Sequence, residues 1–195
     1  MAETVELLYD ISRKLNSDLD LDRVLSDILA LTMPNMGATD GSIMVFDDTG
    51  RVSHRILIRK DLSPEEAAEV TDQVLSRGLA GWVREYRTGA VVDDVHQDDR
   101  WLALPGAPLN VRSAIAVPLL RRDKVVGVLT LVHPEPGRFT PEQLPLLMSI
   151  ANQAAVAVEN ARLFREVQEE RAKLEAIING ANDAILVVDE EDKLV

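Results

Sequence analysis

The stretch Arg112-Ser113-Ala114-Ile115-Ala116-Val117-Pro118-Leu119-Leu120-Arg121-Arg122-Asp123-Lys124-Val125-Val126-Gly127-Val128-Leu129-Thr130-Leu131-Val132 holds two aliphatic runs about one charged turn. Ala114 to Leu120 and Val125 to Val132 have strand length and strand composition, and the four charged residues between them read as the turn of a hairpin. Both runs are apolar at nearly every position. A sheet built on them must therefore be covered on both faces.

Moving toward the N-terminus, Ser42 to Phe46, the turn Asp47-Asp48-Thr49-Gly50 and Val52 to Ile58 read as a second hairpin, and Ala90-Val91-Val92 as a short strand. Helical spacing marks Val5, Leu8, Ile11 and Leu15, then Val24, Leu25, Ile28, Leu29 and Leu31, the latter helix opened by Asp20 and closed near Pro34 and Gly37. Ser63-Pro64-Glu65-Glu66 opens another helix that runs to about Leu75, and Leu79, Trp82 and Val83 mark a short one before Gly89. Between the single strand and the central hairpin, Asp93 to Val111 is a long irregular segment, of the kind that is functional or mobile.

Toward the C-terminus, Thr140-Pro141-Glu142-Gln143 starts a helix with no breaker before Gly180. About 40 helical residues would extend roughly 60 Å, twice the width of a small domain, so half of this helix is expected to project from the core. Beyond Asn160 its apolar stripe narrows to Phe164, Val167, Leu174 and Ile178, with Arg171 in between, a short heptad seam suited to pairing with a second copy. Ala184 to Val188, the acidic turn Asp189 to Asp192 and Lys193-Leu194-Val195 start a new pattern, read as the opening of a second domain.

Composition excludes several classes of function. Of 195 residues, 33 are acidic and 21 basic, a net charge of -12, and none is cysteine. The charge opposes nucleic-acid and anionic-membrane surfaces. The absence of cysteine excludes disulfides, thiolate metal sites, a cysteine nucleophile and a thioether-linked cofactor. Met1 to Asp10 does not read as a secretory signal, and no apolar run reaches the roughly 18 residues of a spanning helix, so the expected location is cytoplasmic.

The order of elements resembles a GAF domain. The likeness rests on Leu19-Asp20-Leu21-Asp22-Arg23-Val24-Leu25, on Gly78-Leu79-Ala80-Gly81-Trp82-Val83 with Thr88-Gly89, on the loop Asp93-Asp94-Val95 to Asp99-Arg100, and on Arg112 to Leu119 with Val126-Gly127-Val128-Leu129. Leu174 to Val188 with Asp189 is similar to the start of a PAS domain. The resemblance implies an α+β fold with a central antiparallel sheet of about six strands, dimer-forming helices on one face and a small-molecule pocket on the other. It divides the chain into an N-terminal signalling helix (1–18), the GAF domain (19–160), a helical linker (161–178) and a truncated PAS start (179–195). It further implies a homodimeric regulatory module that binds a small molecule or relays a signal to an output domain of the same polypeptide, a histidine kinase being the expected one. A purely structural dimerisation module with a filled pocket is the alternative. Bilin-binding members attach their chromophore mainly to a cysteine, which this chain lacks, and the Asn-Lys-x-Phe-Asp-Glu signature of cyclic-nucleotide-binding members does not occur. The sulfoxide reductases of this fold use cysteines, so the chain is expected not to be an enzyme. The cofactor, if there is one, stays open; His54, His96 and His133 are available as haem ligands, though none falls at an obvious pocket position.

Pocket candidates are Ser42, Met44, Phe46, Trp82, Asp94, Trp101, Arg112, Ser113, Ile115 and Val117; Val5, Leu8, Phe164, Val167, Arg171, Leu174 and Ile178 are the dimer-helix candidates. Arg112 and Ser113 stand where the irregular loop enters a central strand, so they offer a guanidinium and a hydroxyl to an anionic or carbonyl ligand. Equally, Arg112 can pair with Asp98 or Asp99 while Ser113 satisfies backbone. Asp93, Asp94, His96, Asp98 and Asp99 form the densest cluster of oxygen donors, readable as a hard-cation site or as a solvated turn whose carboxylates cap backbone. Trp101 is readable as an aromatic lid or as the cover of a satellite cluster. No phosphate-cradling glycine loop, nucleophile elbow or kinase phosphoacceptor motif is present.

Overall fold

A computed structural model describes residues 20–58, 73–102 and 110–180. The chain divides into two compact units, Met1–Glu159 and Asn160–Val195. In the first, helix α1 (Leu21–Met36) precedes strands β1 (Asp40–Phe46) and β2 (Val52–Ile58), helix α2 (Leu79–Tyr86), strands β3 (Ala90–Val92), β4 (Ser113–Arg121) and β5 (Lys124–His133), and the start of helix α3 (Leu144–Gly180). Residues 73–77 are also helical. The expected signalling helix, with Val5 and Leu8, and the start of a PAS domain lie outside the described residues, apart from Asn179 and Gly180 at the end of α3.

Among the described residues the sheet has five strands, in the order β2-β1-β5-β4-β3 and antiparallel throughout, against the six or so expected. The two hairpins lie side by side through the β1–β5 pairing. This puts β5 at the centre of the sheet and makes its long apolar run necessary.

Register decides what each face carries. In one set of rows Ile43, Leu129 and Val117 lie side by side, as do Leu131 with Ile115 and Gly127 with Leu119. These aliphatics are fully buried, together with Leu25, Ile28 and Leu29 of α1 and Leu147, Ile150, Ala151 and Ala154 of α3. Gly41 marks how closely α1 approaches, because a Cβ there would lie 2.8 Å from both Leu29 and Leu131. The alternate rows face the other way and carry much smaller side chains: Ser42, Thr130, Ala116 and Ala90 form one continuous line across four strands. Met44, Phe46, Val92, Ala114 and Val128 flank this line and pack in one cluster with Leu79, Ala80 and Val83 of α2.

The helix boundaries follow from side-chain chemistry. Asp20 accepts hydrogen bonds from the backbone N–H groups of Asp22 and Arg23 at 3.1 and 3.4 Å, capping α1, and Gly37 closes it with a left-handed φ of 66°. Before α3, Pro141–Gln143 forms a 3-10 turn, and the Gln143 side chain accepts from the Thr140 N–H at 2.9 Å, the reciprocal half of a capping box.

Replacing Leu129 with Ala at the sheet centre should cost about 3 kcal/mol through lost transfer energy and a residual cavity, whereas Asp20→Ala should cost about 1 kcal/mol through the lost cap. Urea unfolding of the three proteins checks the ranking; equal costs would mean that α1 docking, and not the sheet interior, limits stability.

Candidate functional site

The site is the small-residue face of the sheet and its rim. Ser42, Met44 and Phe46 are on this face, as expected. Ser113, Ile115 and Val117 are not: strand alternation turns odd-numbered residues of β4 toward the α1 and α3 side, and Ala114 and Ala116 take their places. Ser113 is fully buried and its hydroxyl donates to the carbonyl of Glu135 at 2.7 Å, so it holds the strand end to the loop after β5. Within the small-residue line the Thr130 hydroxyl is shielded from solvent and has no hydrogen-bond partner among the described residues. Buried polar atoms in folded proteins are nearly always paired, so this one is a donor and acceptor held in reserve on the face that α2 covers.

Two ion pairs form the rim. Arg112 reaches back from the start of β4 to Asp94, its Nε and Nη2 donating to the two carboxylate oxygens at 3.1 and 2.6 Å. The expected partners Asp98 and Asp99 are therefore replaced by Asp94. The backbone explains this, since the Val95 N–H donates to the Arg112 carbonyl and the Arg112 N–H to the His133 carbonyl, both at 2.9 Å, which stitches loop, β4 and β5 at one point. Asp94 also accepts from the His96 N–H at 3.1 Å, capping a 3-10 turn at Val95–Gln97. The Arg112 hydrogen bonds, then that of His96, hold the Asp94 carboxyl below the ordinary range, at about 2.

The second pair is Arg100 with Asp98, bidentate at 2.9 and 2.6 Å. The Arg100 guanidinium lies 4.8 Å from the Trp82 ring centroid, and Trp82 stacks on Tyr86 at 4.8 Å with planes 28° apart. Trp82 and Trp101 are half-buried and pack against the α2-side cluster. Both tryptophans thus border the small-residue face. Among the described residues no group of three or more His, Asp or Glu side chains is placed to hold a metal ion. The His133 Nδ1 accepts from the Glu135 N–H at 3.1 Å and the His54 Nδ1 lies 3.1 Å from the Ser53 hydroxyl, so both rings have local partners.

In the second unit the described part is the helix from Asn160 to Gly180. Leu163, Phe164, Val167, Leu174, Ile177 and Ile178 are exposed on it, at 42–64% of their full surface. Arg171, expected within the seam, donates to Glu175 one turn on at 2.9 Å. Among the described residues no helix is long and apolar enough to cross a membrane.

An antiparallel sheet with helices on one face and a short helix over a small-residue row on the other defines an α+β domain. Residues 18–159 match the family model described as GAF domain, and the chain belongs to that family, whose members are sensory and regulatory signalling modules. It is 27% identical over 174 residues to a Nif-specific regulatory protein of Herbaspirillum seropedicae, a match that covers 86% of this chain and 31% of the relative. The chain therefore spans about a third of that relative's length. Among solved structures, the GAF domain of an Acinetobacter phosphoenolpyruvate-protein phosphotransferase superposes with a TM-score of 0.66 at 23% identity, covering 84% of this chain and 96% of that one. A free methionine-R-sulfoxide reductase from Neisseria meningitidis, in complex with its substrate, superposes with a TM-score of 0.64 at 20% identity, covering 83% and 92%. These likenesses concern the fold, and the fold includes enzymes.

Because the folded-state value of Asp94 lies below the ordinary carboxylate value, the contribution of the Arg112 pair is complete above about pH 4 and is lost as pH falls from there through about 2. Asp94→Asn should flatten that part of the acid-unfolding profile. Urea midpoints measured between those limits check this; an unchanged slope in the variant would show that Asp94 carries no linkage.

Proposed function

We propose that this GAF domain is a regulatory sensor that takes a small molecule against the Ser42, Thr130, Ala116 and Ala90 row beneath α2, and passes its occupancy through paired helices to an output domain. The observation that carries the reading is the contrast in side-chain size between the two faces, together with the unpaired Thr130 hydroxyl on the smaller one. Side chains of Ser, Thr and Ala are small enough for a ligand to replace the packing above them, where the opposite face is filled by Ile, Val and Leu. The ligand is a mainly apolar molecule with one hydrogen-bonding group for Thr130, bordered by Trp82 and Trp101. Asp94 and Arg112 satisfy one another, and their role is to hold the loop wall in place.

The exposed stripe Phe164, Val167, Leu174 and Ile178 supports a homodimer, because apolar side chains at this spacing bury themselves against a like helix. Paired helices with two packings of similar energy form a switch, and a ligand shifts them by its differential affinity for the two. The output is proposed to be a histidine kinase with a PAS domain between, as the likeness of residues 174–189 implies. The domain itself regulates and does not catalyse, in the cytoplasm and without nucleic acid.

Native mass spectrometry should find a dimer with a reproducible extra mass that departs on denaturation, and Ala116→Leu, which fills the row, should abolish that mass while the fold persists. A dimer at bare mass in the parent protein, with no change in stability between it and Ala116→Leu, would instead favour a filled structural module. A Val167→Glu, Leu174→Glu double variant should sediment as a monomer; a dimer of unchanged strength would remove the seam from the mechanism.

A further inference from the structure

A cavity lies at the end of α2, away from the small-residue row, where the turn after β1, the turn after β4 and the end of the helix meet. It has a volume of about 330 Å³ and is lined by Phe46, residues 47–50, Arg84, Arg87 and residues 123–125. Three carboxylates and three cations line it, and half of them are committed. Asp47 accepts from the Thr49 hydroxyl at 2.7 Å and the Arg51 N–H at 2.9 Å, within its own turn. Lys124 pairs with Asp48 at 2.5 Å, tying the two turns together.

The two arginines are different. Among the described residues neither guanidinium has an ion pair or hydrogen bond, although three aspartates line the same cavity. Arg84 is half-buried and its Cζ lies over Phe46, 4.4 Å from the ring centroid. Its other neighbour is Gly50, at φ 82°, where an added Cβ would come within 2.5 Å of Nη2. The turn thus has glycine where the guanidinium passes, and the aromatic face holds the group without using any of its N–H donors. Arg87, one helical turn on, closes α2 in the left-handed conformation at φ 55°, a place that glycine or asparagine fills at lower strain. One guanidinium held over an aromatic ring and a second at the same cavity, both with unused donors, can grip an oxyanion together.

We propose that this cavity binds the oxyanion group of a small ligand, a carboxylate or a phosphate, between Arg84 and Arg87. Asp123, exposed at the rim and without a partner among the described residues, disfavours multiply charged anions and leaves room for a ligand that carries a cationic group beside its oxyanion. The site lies apart from the small-residue row, and the two are joined through Phe46, Val125 and the helix between.

The test is an NMR titration of the isotope-labelled chain with inorganic phosphate and, separately, with acetate, at constant ionic strength set by chloride. Saturable shifts at the Gly50 amide and the Arg84 Nε–H are expected with at least one ion. Arg84→Gln should weaken binding about tenfold or more by removing charge-assisted bonds. Arg87→Gly should weaken it as well while leaving the fold at least as stable, because glycine suits that backbone, so lost binding cannot be ascribed to unfolding. Response to phosphate alone assigns a phosphoryl ligand and response to acetate alone a carboxylate. Absence of saturable shifts with both ions, or binding in both variants as tight as in the parent chain, would overturn the proposal.

Discussion

Strand alternation is the constraint on which the rest of this structure depends. Successive residues of β4 and β5 must point to opposite sides, and both sides are buried, so every substitution along the hairpin is felt by one layer or the other. The chain meets this constraint asymmetrically. Ile115, Val117, Leu119, Leu129 and Leu131 form the thick, fully buried layer against α1 and the first part of α3. Ala114, Ala116 and Thr130 form the thin one. A close-packed core is stiff and responds little to a ligand, whereas a thin layer under a short helix has room to be repacked. Stability and adaptability are thereby assigned to different faces of the same strands.

The rim belongs to the same design. Arg112 and Asp94 join the irregular loop to the start of β4 exactly where that strand passes from exposed loop to buried core, and Arg100 joins Asp98 to the ring of Trp82. Surface ion pairs of this kind contribute little individually to stability. Their bidentate geometry fixes direction, however, and so holds the loop against the sheet.

Much of this was legible in the sequence where hydrophobic period and capping chemistry are strong. The hairpins, α1 from Asp20 to Gly37, the short helix before Gly89 and the long C-terminal helix all follow from such signals. Which face of β4 lies under α2 was not legible, because Ala114 to Leu120 is apolar at every position and the period of two disappears; Ile115 and Val117 share one face, as read, but it is the one opposite Ala114 and Ala116. Arg112 found Asp94 and not Asp98 because the backbone bonds of Val95 and Arg112 bring that carboxylate nearest, a contact across 18 positions that spacing does not announce. Arg84 carried no local signal at all. Its aromatic partner, Phe46, is on a strand in another part of the chain and meets it only through the pairing of the two hairpins.

Helix α2 is the element for which these features matter together. It has eight residues, its N-cap Gly78 provides no side-chain hydrogen bond, and its C-cap is an arginine in a conformation that costs free energy. Helices this short do not persist in water on their own, so α2 exists because Leu79, Ala80 and Val83 are buried on the sheet and because Trp82 and Arg84 are held from the sides. What depends on a few contacts opens at a low free-energy cost. Among the described residues the cover over the small-residue row thus rests on a shorter helix than the layer on the opposite face, where two longer helices are anchored by fully buried leucines and isoleucines. A ligand that entered the row would displace contacts made by three small or medium side chains, and the helix end carrying Arg84 and Arg87 would move with it, because eight residues of helix cannot shift at one end and stay fixed at the other.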